Sequence, residues 1–144
     1  YVKAEKAFLT VTEFAPTYAL AWLYLAKAAK EGRDPDIITQ PELIDSFGVA
    51  KPYFEKYVEL ASTDKVKNKK DLIDAYAYLA YFYFSRVDEA NAAQNDANAL
   101  QNIDKLLELD PTNESGLGMK EAINSGGTKP AAQPVNGGGG KGKK

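Results

Sequence analysis

Residues 76–84 read Tyr-Ala-Tyr-Leu-Ala-Tyr-Phe-Tyr-Phe, and six of these nine side chains are aromatic. Aromatic residues favour strands, yet no polar residue alternates with them as a half-buried strand requires. A buried strand and a buried helix both fit, and periodicity cannot separate the two over so short a run. The decision rests on the flanking chain.

Outward from this stretch, residues 1–124 carry helical periodicity. In the first segment Ala4, Phe8, Val11 and Ala15 share a stripe that stops at Pro16. Trp22, Leu25, Ala26 and Ala29 recur at helical spacing, with Thr17 expected as the cap and Gly32 as the stop. Thr39 and Glu42 have the spacing of a capping box for a short helix. Tyr53, Phe54, Tyr57 and Leu60 mark the next helix, whose first turn must hold Pro52. A long helix is expected from Asp71 to about Val87, containing the aromatic stretch. Residues 88–97 are Asn/Ala-rich, a polar loop or frayed helix start. Leu100, Ile103, Leu106 and Leu107 then precede a stop at Pro111, and a short final helix holds Gly116 and Gly118.

Three segments match one another. Ala4, Phe8, Val11, Phe14 and Pro16 have the spacing of Ala99, Ile103, Leu106, Leu109 and Pro111. Ala50, Phe54, Tyr57 and Leu60 repeat it, with Ser62 at the proline position. The helices before the last two also match: Trp22, Leu25, Ala26 and Ala29 parallel Tyr76, Leu79, Ala80 and Tyr83. The gap from Pro16 to Trp22 recurs between Pro111 and Leu117.

These residues resemble the tetratricopeptide repeat (TPR) pattern, W-x2-L-G-x2-Y followed by A-x3-F and a proline. Ala26 and Ala80 stand at the glycine position, Ala29 at the tyrosine and Ser62 at the proline. The repeats are longer than the usual ~34 residues, the extra length falling at 33–47, 63–70 and 88–97. Extended repeats of this wording are similar to secreted or envelope TPR proteins of Bacteroidetes-type bacteria, which favours periplasm or cell envelope over cytoplasm. The resemblance implies an all-α solenoid, a right-handed stack of antiparallel helix pairs. It would comprise a partial repeat at 1–16, repeats at about 17–62 and 71–111, and a capping helix at about 113–124. Tyr76, Leu79, Ala80 and Tyr83 would then be packing positions. Phe8, Val11 and Phe14 would lack an upstream neighbour, so the native chain is expected to continue there.

Composition sets further bounds. The 144-residue chain has a net charge of -2 and neither histidine nor cysteine. That removes Ser-His-Asp and Cys-His nucleophiles, thiolate redox chemistry and ordinary zinc sites. No general affinity for nucleic acid, no membrane span and no cofactor are expected. The first residue is tyrosine and no signal-peptide pattern follows, so any targeting segment would lie upstream. Residues 125–144, rich in glycine, proline and lysine, cannot bury enough apolar surface to order themselves, and a disordered basic tail is expected.

Acidic pairs occur at Asp34 with Asp36, Glu42 with Asp45, Asp88 with Glu89, and Asp104 with Glu108. They sit in loops or beside lysines, the pattern of solvated faces rather than of converging catalytic carboxyls. Lys65, Lys67, Lys69 and Lys70 lack the interleaved aromatics of a single-strand binder and read as a solvated loop.

In the family the first helix of each repeat lines a concave groove that receives peptides or partner segments. The resemblance nominates Leu20, Leu23, Lys27 and Lys30 from one such helix, and Asp74, Ala77, Tyr78 and Tyr81 from the next. The spots matching the family's carboxylate clamp hold Leu23, Asp74 and Tyr78, which favours an apolar, aromatic groove instead. Tyr78 and Tyr81 are expected to be partly exposed there, and Tyr83 to be core. The leading function is a non-enzymatic scaffold for a protein or peptide partner. Structural or self-associating solenoid segments and an accessory domain of an upstream enzyme are the alternatives.

Overall fold

The structure is a computed structural model and describes residues 1–86 and 90–126. The expected tail from residue 127, and Val87, Asp88 and Glu89, lie outside the described residues. The described chain is helix and turn with no strand. The elements are α1 (Val2–Phe14), α2 (Ala19–Arg33), a 3-10 helix (Pro41–Ser46), α3 (Lys51–Ala61), a short 3-10 turn (Ser62–Asp64), α4 (Lys69–Phe84), α5 (Ala92–Leu109) and α6 (Glu114–Asn124).

Each helix packs on the next in sequence, and α4 also reaches α6. The pairing is antiparallel. Phe8 meets Tyr24 while Glu5 pairs with Arg33. The Lys51 ammonium at the start of α3 lies over the Phe82 ring near the end of α4, while Asn68, just before α4, donates to the Ala61 carbonyl at the end of α3. Tyr76–Phe84 therefore belong to α4, the central helix. Its Leu72, Ala75, Tyr76, Tyr78, Leu79 and Phe82 join a core with Leu23, Ala26, Phe54, Tyr57 and Leu106. Its Ala80 and Phe84 join a second core with Ala99, Ile103 and Met119. Apolar surface nearly all round α4 follows from its place between α3 on one side and α5 and α6 on the other.

The repeating alanine-to-aromatic spacing has a packing cause. Ala50 and Ala99 are wholly buried, and so are Tyr57, Ile103 and Leu106, with Phe54 almost so. The small side chain lets neighbouring helices approach while the large ones one and two turns on fill the interior. Each such side chain contributes about 1.5–3 kcal/mol.

Local signals place several ends differently. Tyr18, not Thr17, precedes α2, without a side-chain cap, and α2 runs one residue past Gly32. The start of α2 is held instead by Trp22 Nε1, which donates to the Pro16 carbonyl at 2.8 Å. Thr39 does not cap the 3-10 helix; its hydroxyl turns back to the Asp36 carboxylate and carbonyl. Asn68, rather than Asp71, precedes α4. Ser62 cannot stop α3 as proline would, and the chain continues into the 3-10 turn. Part of the added length is helix: α5 begins at Ala92, and α4 takes in Lys69 and Lys70.

The connection 34–48 folds down onto α4. Asp34 Oδ1 accepts from the Gly48 and Val49 amides at 3.0 and 2.7 Å, and Oδ2 accepts from the Tyr78 hydroxyl at 2.5 Å. Its own Ile37 and Phe47 are buried. Gly48 has φ 111°, and a Cβ there would stand 2.1 Å from Phe82 Cε2. Glycine is needed for both the backbone angle and the close approach.

Candidate functional site

Helices α2 and α4 place Leu20, Lys30 and Asp74 at the surface, with Lys27, Ala77 and Tyr81 half-buried. Lys27 Nζ bridges to Asp71 Oδ1 at 2.8 Å, tying α2 to α4 beside this face. The carboxylate and ammonium are partly exposed, so the pair adds at most about 1 kcal/mol.

Two nominated residues are corrected. Leu23 is 1% exposed and Tyr78 is 7% exposed, so neither offers a contact surface. Tyr78 packs on Phe54 with the rings tilted by 36° and their centroids 4.6 Å apart, and lies 5.6 Å from the Phe47 ring. Burial, then the bond to the Asp34 carboxylate, push its hydroxyl pKa far up. The packing role expected of Tyr83 is also partly reversed. Tyr83 is half-buried, with its hydroxyl 3.2 Å from Glu55 Oε1 and the Lys51 ammonium 5.4 Å from its ring centre. It borders a cleft of about 280 Å³ with Glu55, Val58, Asn98 and Lys105.

Tyr81 is intermediate in kind. Its ring meets Phe47 edge-on at 5.7 Å. Its hydroxyl is buried with no hydrogen-bond partner. Burial and the Asp36 carboxylate raise its pKa to about 12.

Tyr24, outside the expected set, is the accessible tyrosine of this face. It is 48% exposed and stacks on Phe8 with centroids 5.4 Å apart. Tyr24 and Tyr78 hold equivalent positions: each lies on the aromatic ring of the helix before it. The connection 34–48 covers Tyr78, and no equivalent segment covers Tyr24 among the described residues. The signal was present in the sequence, since the repeat spacing that nominated Tyr78 also points to Tyr24. Leu20, Tyr24, Lys27 and Glu31 form a stripe at helical spacing, apolar at one end and charged at the other.

Two of the acidic pairs have separate structural partners, and Asp88 with Glu89 lies outside the described residues. Asp34 holds the connection, and Asp36 accepts from the Ile38 amide and the Thr39 hydroxyl. Asp104 pairs with Lys120, and Glu108 with Lys65. The Lys65 ammonium holds the Glu108 carboxyl below its usual range. No group of three or more metal-ligating side chains occurs among the described residues. Lys67, Lys69 and Lys70 border an open depression of about 430 Å³ with Val66, Ile73 and Asp74. No described helix is long and apolar enough to cross a membrane.

No protein-family model and no curated protein matches the chain. Among solved structures, the chain is similar to the C-terminal part of a TPR repeat-containing protein from Cytophaga hutchinsonii, of the Bacteroidetes. Sequence identity is 30% and the TM-score 0.61, over 83% of this chain and 40% of that one. The chain thus spans less than half of the protein it matches. The fold is an all-α, TPR-like helical repeat of the kind that serves protein interaction.

Proposed function

We propose that this TPR-like chain is a non-enzymatic scaffold that binds a peptide or protein segment across the shared face of α2 and α4. The exposed Tyr24, beside Leu20 and above Lys27 and Lys30, is the observation that supports the reading. A tyrosine supplies rigid apolar area with a polar tip, the property that makes it frequent among binding hot spots. The neighbouring lysines favour a segment that combines apolar and acidic residues. Asp74 and Ala77 extend the face onto α4, while Leu23 and Tyr78 support it from below.

Selection of a random-peptide display library on the immobilised protein tests this. Enriched peptides should combine an aromatic or aliphatic anchor with Asp or Glu. Tyr24→Ala should weaken the best of them by on the order of 2 kcal/mol, as a hot-spot loss does. Lys30→Glu should remove the acidic preference. If nothing is enriched, or both variants select the same peptides as the parent, the face has no such role and a structural or spacing segment is the better account.

A further inference from the structure

We propose that the cleft between α3 and α5, floored by α4, binds a neutral, hydroxyl-rich ring, the chemistry of a sugar residue. Its lining shares no residue with the α2–α4 face, so the inference does not rest on peptide binding there.

Helices α3 and α5 both pack on α4. Between them Tyr76, Leu79 and Tyr83 of α4 line the cleft, spanning two helical turns, or about 10 Å. Leu79 is buried and Val58 of α3 is half-buried, so the floor is apolar between two tyrosines. The α5 wall is polar: Asn98, Asn102 and Lys105 stand at helical spacing, with Gln101 exposed at the rim. The cleft holds about 280 Å³, room for about nine waters at ~30 Å³ each. Apolar side chains at Asn98 and Asn102 would close it, as they close the rest of the α4–α5 interface.

The polar groups are only partly used by the protein. The Lys51 ammonium and the Tyr83 hydroxyl both bind Oε1 of Glu55, at 2.9 and 3.2 Å, which leaves Oε2 as an acceptor. Asn98 Oδ1 accepts from Gln94 at 3.1 Å, which leaves Nδ2 as a donor. Asn102 Nδ2 donates to the Asn98 carbonyl at 2.9 Å, which leaves Oδ1 as an acceptor. All three residues are half-buried, so these groups are partly withdrawn from water.

The charges of the cleft are countered from within the chain. Lys51 faces Glu55, and Lys105 lies 3.7 Å from the Glu108 carboxylate. Neither an anion nor a cation is selected. A hydroxyl both donates and accepts, so it suits a wall that mixes the two. A sugar ring carries hydroxyls round its edge and C–H groups on its faces, which match the polar wall and the Leu79–Val58 floor. An extended peptide would bring only about three residues into ~10 Å, with side chains rather than its backbone against the floor.

Saturation-transfer NMR on the full chain tests this, with glucose, galactose, mannose, xylose, maltose and cellobiose each at about 10 mM, where a millimolar site is nearly filled. At least one should show transfer to its ring C–H protons and shift the side-chain amide signals of Asn98, Gln101 and Asn102. The uronic-acid and amino-sugar counterparts should bind more weakly. Gln101→Ala changes an exposed position, so its circular dichroism should match the parent, and it should weaken binding about threefold or more. Asn98→Leu, which fills the cleft with an apolar group, should abolish transfer. Absence of transfer from all six sugars, or equal binding by the parent and Gln101→Ala, would overturn the proposal. So would equal shifts of the same amides by acetyl-trialanine amide, because a peptide segment would then be the occupant.

Discussion

Two single side chains carry opposite kinds of strain. The Tyr57 ring is wholly buried, yet its hydroxyl has no hydrogen-bond partner. An unpaired buried hydroxyl costs about 1–3 kcal/mol. Tyr57→Phe keeps the ring and deletes the liability, so stability should hold or rise by about 1 kcal/mol in urea denaturation. A loss above that size would mean that the hydroxyl is paired in solution. Asp34 is the reverse case, with one carboxylate accepting three hydrogen bonds from two segments. Asp34→Ala should cost on the order of 3 kcal/mol, since bonds to a charged acceptor are the stronger kind. Asp34→Asn should recover part of it, because Oδ1 still accepts from both amides. Equal melting midpoints for all three proteins would remove Asp34 from this role.

At the scale of the element, α4 decides most of the packing. Tyr78→Ala should lose about 3–5 kcal/mol as a large-to-small core change. Tyr24→Ala, at the equivalent position in α2, should lose about 1 kcal/mol or less, as surface changes do. Denaturant midpoints for the two variants check the contrast. The repeat was legible in the sequence at this scale, because Ala50 with Phe54 and Ala99 with Ile103 state a spacing that only buried helix contacts require. Which tyrosines of α4 are covered was not legible. Helical spacing assigns Tyr78 and Tyr83 to faces, but burial depends on what crosses those faces. The connection 34–48 seals Tyr78, and the gap between α3 and α5 leaves Tyr83 half open. Gly48, inside that connection, read only as punctuation. Gly48→Ala should lose on the order of 2 kcal/mol or more, from a strained φ and a clash with Phe82.

Over the whole molecule, tyrosines set the alkaline limit. Tyr57 and Tyr81 are pushed up to about 12, in each case chiefly by burial. Tyr78 is raised for the same reason first. Their unfolded pKa is near 10. Between these values the unfolded chain releases protons that the folded chain retains, so stability falls as pH rises. From about neutral pH it should be flat to about pH 10 and decline from there through about 12. Tyr57→Phe should shallow that slope, and a slope identical to the parent's would assign the effect elsewhere. The same view of the whole changes what the connection 34–48 means for a protease. Its prolines and polar residues resemble an ideal cutting site, but a scissile bond must be pulled into extended form to be cleaved. Asp34 and Phe47 hold this strap to α4, so tryptic cleavage after Arg33 should await the opening of α4. The nicking rate then measures how often the central helix lets go.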